Sequence, residues 1–196
     1  MRSAEISEVA SVRKVVGEAF ARDPLFKWMF PADAHRLEMT AVFLGLFVET
    51  YVACGRVDVI EVDGEIVAAA LWRIPDDPSP PAPTPPSIGG VLAAFVGEER
   101  APSIFEGMSA LATTRPEPPF AYLHLLAVAP SHQRRGYGRE VIAPGIAAAE
   151  EAGLDAVLET MNEENLAFYG SLGFVVTAEL AIGADGPRAW ALRRAH

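Results

Sequence analysis

Residues 120–152 constrain the fold most, because a buried strand, a glycine-containing turn and a helix are predicted there in immediate succession. Residues 120–128 are almost entirely apolar and are followed by a proline, as expected of a strand inside a sheet. Gly136 and Gly138 let the backbone approach a ligand, and amides at the start of the next helix point outward with partial positive charge. The segment therefore predicts a site for an anion such as a pyrophosphate.

Helical and strand patterns alternate along the rest of the chain. Apolar residues at three- and four-residue spacing predict helices over residues 11–20 and 37–52, and Asp63-Gly64 predicts a tight hairpin of strands 56–62 and 65–74. The other predicted elements are a proline-rich surface loop at 75–87, a helical stretch at 88–112, helices at about 139–152 and 163–171, and strands at 156–159, 174–182 and 188–193. We expect a single mixed α/β domain over residues 1–196.

Charge and cysteine content exclude several classes of protein. The formal net charge is −10, so the chain lacks the lysine and arginine surface that neutralises nucleic-acid phosphates. Cys54 is the only cysteine, which excludes an intrachain disulfide and a cysteine-based metal cluster. The longest apolar run, residues 41–48, is too short to cross a bilayer. We therefore expect a cytoplasmic protein that binds neither nucleic acid nor membrane.

The glycine turn lacks the two best-known phosphate loops, G-x-G-x-x-G and G-x-x-x-x-G-K-[ST]. Its letters QRRGYG, residues 133–138, instead resemble the Q/R-x-x-G-x-G/A motif of the GNAT superfamily of N-acetyltransferases, and the preceding strand ends in the typical L-A-V-x-P. A second segment, NEENLAFYGSLGF at 162–174, resembles the GNAT signature in which an asparagine precedes a tyrosine on a short helix ending in G-F. With both motifs in the expected order, the chain is identified as a member of this superfamily.

A closer resemblance, to puromycin N-acetyltransferase and its relatives, extends over most of the chain. It is carried by segments such as EAFARDPLFKW, APGIAAAEEAG and NLAFYGSLGFVVTAE. The N-terminal helices and the proline-rich loop agree less clearly, and these segments usually shape the acceptor pocket of such enzymes. Puromycin itself is therefore not implied as the substrate.

The GNAT resemblance implies a central, mostly antiparallel mixed sheet with one splayed strand pair, and acetyl-CoA as cosubstrate without a metal. In the family, a bulge in the L-A-V strand frees backbone groups to pair with the pantetheine arm of CoA. The residues implied in acetyl-CoA binding are Leu126, Ala127, Val128, Gln133, Arg134, Arg135, Gly136, Tyr137, Gly138, Arg139, Asn162, Asn165, Phe168 and Tyr169. Each arginine of this set can also simply face solvent, so the backbone role of the glycines is the central expectation.

The resemblance also implies catalytic roles. Tyr169 would protonate the departing CoA sulfur as a general acid, and the amide of Leu126 would stabilise the oxyanion that forms from the thioester carbonyl. The first candidate for the base is His124, which lies two residues before Leu126 and is expected to share its face of the strand. Glu159, at the end of the next strand, is the second candidate. The alternatives are a hydrogen-bonded core histidine and a structural carboxylate.

Aromatic residues of the early helices are the candidates for the acceptor pocket. They are Phe26, Trp28, Phe30 and Tyr51. An ordinary place in the core is the alternative for each of them. We expect acetyl transfer to the primary amine of a small molecule by direct attack in a ternary complex. Acetylation of a protein or peptide, and a noncatalytic acyl-CoA sensor, are the other functions considered, and a homodimer is left open.

Overall fold

The computed structural model describes residues 1–75 and 87–196, which contain seven strands, seven α-helices and three short 3-10 helices. The strands are β1 (Arg2–Ser3), β2 (Arg56–Val62), β3 (Glu65–Arg73), β4 (Ala121–Val128), β5 (Ala156–Thr160), β6 (Val175–Ala181) and β7 (Arg188–Arg194). The helices are α1 (Val9–Phe20), α2 (Pro24–Met29), α3 (Arg36–Cys54), α4 (Ile88–Val96), α5 (Ala101–Ala112), α6 (Tyr137–Glu151) and α7 (Asn165–Gly170).

The strands form one sheet in the order β1-β2-β3-β4-β5-β7-β6. β4 and β5 run parallel, and all other neighbouring strands are antiparallel. The apolar strand that precedes the glycine turn is the fourth of the seven, at the centre of the sheet. The expected mixed and mostly antiparallel sheet with flanking helices is therefore confirmed.

The β2–β3 hairpin turns at the predicted dipeptide. Asp63 and Gly64 have φ angles of 54° and 82°, the left-handed backbone that a two-residue hairpin turn requires at both positions. Asp63 tolerates this conformation because its short polar side chain suits turns, and Gly64 has no Cβ to clash. Most of the predicted proline-rich loop that follows the hairpin, residues 76–86, lies outside the described residues.

The helical regions differ from the sequence expectation in two places. The stretch at 88–112 is two helices rather than one, because Gly97 ends α4 with a φ of 86°. In addition, the connection between the first two predicted helices contains the short helix α2. Asp23 caps α2 by accepting a hydrogen bond from the Leu25 amide, and Pro24 occupies its first turn, where no amide donor is needed.

Helices cover both faces of the sheet. The first layer packs α1 to α5 on one face, with buried side chains that include Val12, Val15, Phe43, Leu44, Val48, Leu92, Ile104 and Leu111. The second layer packs α6 on the other face through Val141, Ile142 and Ile146, around the fully buried Trp72. Strand β4 contributes side chains to both layers, Leu125 and Ala127 to the first and Ala121 and Leu123 to the second.

By length and composition, residues Asp33–Cys54 meet the criterion for a membrane-spanning helix, with a mean hydropathy of 1.5. Buried core helices of folded proteins meet the same criterion. In this structure the segment contains α3, whose Leu44 and Val48 are buried in the first layer beside α1.

Close packing between α6 and the sheet requires a glycine at position 145. A Cβ built on Gly145 would lie 2.1 Å from Nε1 of the buried Trp72, so an added methyl group has no space. We expect Gly145→Ala to lower the free energy of unfolding by about 1–3 kcal/mol, the usual cost of overpacking a core. Urea denaturation followed by far-UV circular dichroism measures this change.

The matched control is Gly170→Ala in α7, because a Cβ there meets no atom within 4 Å. This variant should be neutral, or more stable by up to about 1 kcal/mol from the gain in helix propensity. Equal effects of the two substitutions would contradict the packing explanation.

Candidate active site

β4 and β5 separate after a short paired stretch. Only Ala121 and Tyr122 of β4 pair with β5, at Ala156 and Val157. Beyond Tyr122, the two parallel strands splay apart and leave a gap in the centre of the sheet. The expected splayed strand pair is present in the structure.

Backbone geometry directs two amides into this gap. The amide of Ala129 donates to the carbonyl of Val67 on β3, at 2.8 Å. Because successive amides of an extended strand point to opposite sides, those of Leu126 and Val128 point away from β3 and toward the gap. The Val128 carbonyl points the same way and accepts a hydrogen bond from Nε2 of Gln133 at 3.1 Å. The Leu126 amide therefore has the orientation that an oxyanion donor needs.

A bulge in β4 corrects one sequence expectation. Leu71 of β3 pairs with Leu125, and the next residue, Trp72, pairs with Leu123, so His124 is the extra residue. The bulge reverses the alternation of side chains along β4. Leu126 packs on the α6 side of the sheet, whereas the His124 ring contacts Phe47 of α3 on the opposite side. The expectation that His124 and Leu126 share a face is wrong for this reason.

The glycine turn forms one wall of an open cleft of about 770 Å³ that ends at the gap between the strands. Gly136 has a φ of 90°, a conformation that strains any residue with a Cβ, and it immediately precedes α6. The predicted acetyl-CoA-binding residues that line this cleft are Leu126, Val128, Gln133, Arg134, Gly136, Tyr137, Gly138, Arg139, Asn162, Asn165, Phe168 and Tyr169. The structure thus brings together both sequence motifs on a single cleft.

Two predicted cofactor-binding residues do not line the cleft. Ala127 is fully buried in the first apolar layer, because it lies on the opposite face of β4 from Leu126. Arg135 is exposed and does not line the cleft, whereas Arg134, with a φ of 62°, and Arg139 both line it. Arg139 also donates to Oγ of Ser171 at 2.6 Å, a contact that fixes its guanidinium over the C-terminal end of α7.

The two asparagines of the second motif hold the start of α7 in place. Oδ1 of Asn162 accepts a hydrogen bond from the Glu164 amide at 3.1 Å, and Nδ2 of Asn165 donates to Oγ1 of Thr160 at 3.3 Å. Both hydrogen bonds are local to the β5–α7 connection. These side chains therefore position α7, and with it Tyr169, against the cleft.

A second, mostly apolar cavity of about 230 Å³ opens on the other side of the gap. Its walls come from α1 to α5 on one side and from the splayed ends of β4 and β5 on the other, and include Phe26, Met29, Phe43, Phe47, Leu92, Met108 and Leu158. The residues that line both this apolar cavity and the cleft are Phe20, Asp23, Leu126, Asn165 and Tyr169. The two spaces therefore meet at Leu126 and Tyr169.

The aromatic residues expected at the acceptor pocket have different places. Phe26 lines the apolar cavity, as expected. Phe30 is 1% exposed and packs edge-on against Phe95 inside the core, because the short α2 turns it away from the cavity. Trp28 lines neither space and donates from Nε1 to Asp185 at 3.1 Å. Tyr51 lines a separate cavity of about 280 Å³ between α3 and the start of β4.

Tyr169 lies where the general acid was expected, at the junction of the cleft and the apolar cavity. Its ring packs against Phe168 and Phe174, which fix its position, and its hydroxyl makes no hydrogen bond to a described residue. Burial raises the pKa of Tyr169 well above its usual value, and the nearby charge of Asp23 raises it further. The hydroxyl therefore remains protonated at neutral pH and can donate to a ligand.

Glu159 is held in a network rather than left free. Its Oε1 accepts from Nε of Arg115 at 2.6 Å, and its Oε2 accepts from the Tyr122 hydroxyl at 2.8 Å. The side chain is only 5% exposed, so the ion pair is largely shielded from water. Burial, together with the charge of Glu159, raises the pKa of Tyr122. This arrangement matches the structural-carboxylate alternative, because both carboxylate oxygens already accept hydrogen bonds.

His124 is enclosed by aromatic rings between the apolar cavity and the third cavity. Its ring lies 4.7 Å from that of Phe47 and stacks on that of Tyr122 at 5.4 Å. Nδ1 is buried without a hydrogen-bond partner among the described residues. Burial lowers the pKa of His124 to about 3, and the charges of Arg115 and Arg73 lower it further in the same direction. The imidazole is therefore neutral at pH 7 and is a weak proton acceptor.

The low pKa of His124 predicts a loss of stability in acid. Its folded value of about 3 lies below the ordinary value of 6.5, so the unfolded chain binds one more proton between these pH values. Stability from this residue is therefore lost as the pH falls below about 6.5. His124→Phe retains an aromatic ring. We expect its free energy of unfolding to fall by about 2 kcal/mol less than that of the parent between pH 7.5 and pH 5, as measured by urea denaturation. Parallel losses in the two proteins would contradict this assignment.

Sequence analysis missed Asp23. Its carboxyl lines both the cleft and the apolar cavity, beside Tyr169. Burial raises the pKa of Asp23 to about 6, against the opposing effects of the Leu25 amide and the charge of Lys27. The Asp-Pro dipeptide could have indicated a helix cap, but nothing in the sequence indicates that the carboxyl also reaches the junction.

Histidine, cysteine, aspartate and glutamate side chains do not cluster as metal ligands in residues 1–75 and 87–196: no group of three or more is placed to hold an ion. The expectation of a metal-independent protein remains a prediction for experiment.

Comparisons with known proteins agree with the geometry of the cleft. The chain matches the model of the acetyltransferase (GNAT) family over residues 22–174. It is 32% identical over 102 residues to the N-alpha-acetyltransferase RimI of Mycobacterium tuberculosis, a match that covers 50% of this chain and 63% of that protein, less than two thirds of its length.

Solved structures show the same fold. A histone acetyltransferase HPA2 and related acetyltransferase from Corynebacterium glutamicum superimposes with a TM-score of 0.70 at 26% identity, covering 100% of this chain and 97% of that one. The polyamine N acetyltransferase of Drosophila melanogaster has a TM-score of 0.62 at 15% identity, covering 100% and 98% of the two chains, and at this identity it shows the fold alone. Since the family match includes β4, the glycine turn and α7, the chain belongs to the acetyltransferase (GNAT) family.

Proposed function

We propose that this protein transfers the acetyl group of acetyl-CoA to the primary amine of a small molecule, by direct attack within a ternary complex. The observation that carries the proposal is the meeting of a phosphate-suited cleft and a separate apolar cavity at Leu126 and Tyr169. A cofactor in the cleft and an acceptor in the cavity would place thioester and amine on opposite sides of the gap between β4 and β5.

The cleft residues suit the parts of acetyl-CoA in order. Amides of the glycine turn and the start of α6, with Arg134 and Arg139 beside them, would hold the pyrophosphate. The free edge of β4 would pair with the pantetheine arm, and the Leu126 amide would donate to the thioester oxygen as charge develops there. Tyr169 would donate to the sulfur as the C–S bond breaks.

The size of the acceptor cavity favours a small molecule. At about 230 Å³ and with mostly apolar walls, it has room for a compact apolar group but not for a long stretch of peptide. The resemblance to puromycin N-acetyltransferase and its relatives supports the same class of acceptor, through segments such as NLAFYGSLGF. We do not extend the proposal to puromycin, because only Phe26 of the expected aromatic set lines the apolar cavity.

Acetylation of a protein N-terminus is the second candidate. The observation in its favour is the 32% identity over 102 residues to the N-alpha-acetyltransferase RimI. An N-terminal residue could enter the apolar cavity while the rest of the peptide stays outside it.

An acetyl-CoA turnover screen, read by release of free thiol, tests the proposal. The acceptors are alkyl and arylalkyl amines, aminonucleosides, and peptides with free N-termini. Thiol release with the amines but not with the peptides supports the proposal, and preference for peptides supports the second candidate. Binding of acetyl-CoA without thiol release for any acceptor indicates a sensor and overturns both. Turnover should persist in EDTA, since no step requires a metal.

A further inference from the structure

We propose that Asp23 is the acceptor-binding residue of this site: its carboxylate binds the ammonium group of the amine and accepts a proton from it. This inference rests on the proposed acetyl transfer. It also specifies the acceptor as a primary amine attached to a compact apolar group.

The position of Asp23 supports this role. Of the described carboxylates that line either the cleft or the apolar cavity, Asp23 alone lines both. It shares the junction with Leu126 and Tyr169, where the thioester carbonyl and sulfur are expected. An ammonium group bound to Asp23 would therefore lie next to the carbon that it must attack.

Hydrogen bonding fixes one oxygen of Asp23 and leaves the other for a ligand. Oδ1 accepts from the Leu25 amide at 2.8 Å, which holds the carboxylate in one orientation at the start of α2. Oδ2 accepts no hydrogen bond from any residue in 1–75 or 87–196. A primary ammonium has three N–H donors, and one of them suits this oxygen.

Electrostatics distinguishes Asp23 from the other carboxylate of the cavity. Glu159 is already neutralised by Arg115 and hydrogen-bonded by Tyr122. Asp23 has no ion pair within the described residues, and burial raises its pKa to about 6. A buried anion without a partner is costly, and a bound cation removes that cost. Of the two described carboxylates that line the apolar cavity, only Asp23 lacks a cationic ion-pair partner among the described residues.

None of the other ionisable groups around Asp23 forms an ion pair with it, and of these groups only Lys27 lowers its pKa, through its charge. The side chains concerned are Lys27 on its own helix, Glu18 and Arg22 at the end of α1, Tyr169 on α7, Glu164 near α7, and His124, Tyr122 and Glu159 on β4 and β5. Lys27 lines neither the cleft nor the apolar cavity, and Arg22 is exposed. His124 is neutral at pH 7 because of its low pKa.

The proton balance of the reaction is simple. The bound ammonium gives one proton to the Asp23 carboxylate, and the free amine attacks the thioester carbon while that proton stays on Asp23. The carboxyl releases the proton to water after the CoA thiol has formed. The C–N bond forms, the oxyanion collapses and the C–S bond breaks. The sulfur gains a proton from the Tyr169 hydroxyl. The second proton that leaves the nitrogen restores this hydroxyl. The net products are the amide, CoA thiol and one proton.

Asp23→Asn tests the proposal without removing the helix cap, because the amide oxygen of asparagine can still accept from the Leu25 amide. With 2-phenylethylamine as acceptor, we expect kcat/KM at pH 7.5 to fall about 10- to 100-fold, the usual effect of losing a hydrogen bond to a charged group. The Kd of acetyl-CoA should be unchanged. Asp33→Asn, at an exposed aspartate outside the site, is the matched control and should retain parent activity.

A pH profile separates an ammonium-binding role from a structural one. If Asp23 binds the ammonium form, kcat/KM of the parent rises with pH up to about 6 and then stays level until the amine itself loses its proton near pH 10. In Asp23→Asn this low-pH rise should disappear. If the parent profile instead climbs with unit slope from pH 6 to pH 10, the enzyme takes the free amine and the proposal is wrong.

Stability provides a second readout. The folded pKa of Asp23 lies above its ordinary value of 3.8, so the stability that the carboxyl contributes in acid is lost as the pH rises from about 3.8 to about 6. Asp23→Asn should therefore be at least as stable as the parent at pH 7.5. Should it fail to fold, Asp23→Ser, which also retains a cap oxygen, replaces it in every assay.

The outcomes distinguish the two proposals. If none of the amines in the screen causes the parent to release thiol, the proposed function fails, and this inference fails with it. If the parent acetylates 2-phenylethylamine but Asp23→Asn and Asp23→Ser match it in kcat/KM and pH profile, only the role of Asp23 is overturned. A loss confined to the affinity for acetyl-CoA would also overturn it.

Discussion

Tyr169→Phe should lower kcat for acetyl transfer by about 10²- to 10⁴-fold, the usual effect of removing a general acid. The substitution removes only the hydroxyl, because the ring keeps its packing against Phe168 and Phe174. The Kd of acetyl-CoA should change little, since residues 133–138, the turn that would hold the pyrophosphate, are left unchanged. Steady-state thiol release with the best acceptor from the screen, together with calorimetric titration of acetyl-CoA, measures both quantities.

Tyr51→Phe provides the matched control. Burial raises the pKa of Tyr51 to about 12, so its hydroxyl is also protonated at neutral pH, but it lines the third cavity rather than the cleft. This variant should retain kcat within a few-fold. If Tyr169→Phe turns over at the parent rate, or if both variants lose activity equally, Tyr169 is not the acid.

The fold was largely predictable from local sequence patterns. The hairpin was found because Asp63-Gly64 has the backbone freedom that its turn needs, and β4 was placed at the centre of the sheet because its residues are apolar without alternation. The break at Gly97 was missed although the sequence marks it: three charged residues follow the glycine, and Pro102 lies in the first turn of α5. The helix α2 was missed because six residues are too few to show a helical period.

The site was less predictable where it depends on irregular backbone. A family-wide bulge was expected in β4, but its position at His124 was not, and one extra residue is enough to reverse which side chains share a face. The same limit applies to Phe26, which lies on α2, and to Phe30, the residue directly after it. Only the packing of α2 against α3 and α4 determines that Phe26 reaches the cavity and Phe30 the core.

Functional residues outside the two motifs were the hardest to find. Asp23 and Arg115 lie outside the glycine turn and α7, and they meet the site only through tertiary packing. Their chemistry depends on burial and on neighbouring charges, neither of which a single sequence gives. By contrast, most cleft residues of the glycine turn and α7 were identified, since each segment carries several of them within a few positions, whereas those from the end of α1 and the residues after it were not.

The glycine turn should be the main determinant of acetyl-CoA affinity. Gly136 has a φ of 90°, so valine there forces the backbone out of the conformation that directs the turn amides at the phosphates. A Cβ on Gly138 would meet only ordinary contacts, 3.5 Å from Phe168 and 3.7 Å from Val128, so the alanine variant is tolerated while the branched arms of valine intrude on the cleft.

We expect Gly136→Val with Gly138→Val to weaken acetyl-CoA binding at least about 100-fold, equivalent to two lost hydrogen bonds to a charged group at about 1.5–3 kcal/mol each. Gly138→Ala alone is the matched control and should stay within a few-fold of the parent, because its Cβ has space. Calorimetry with acetyl-CoA and with pantetheine, which lacks the pyrophosphate, measures the effect. If the double variant loses affinity for acetyl-CoA but not for pantetheine, the glycine turn binds the phosphates. If the double variant is folded and its affinity for acetyl-CoA is unchanged, the cofactor binds elsewhere.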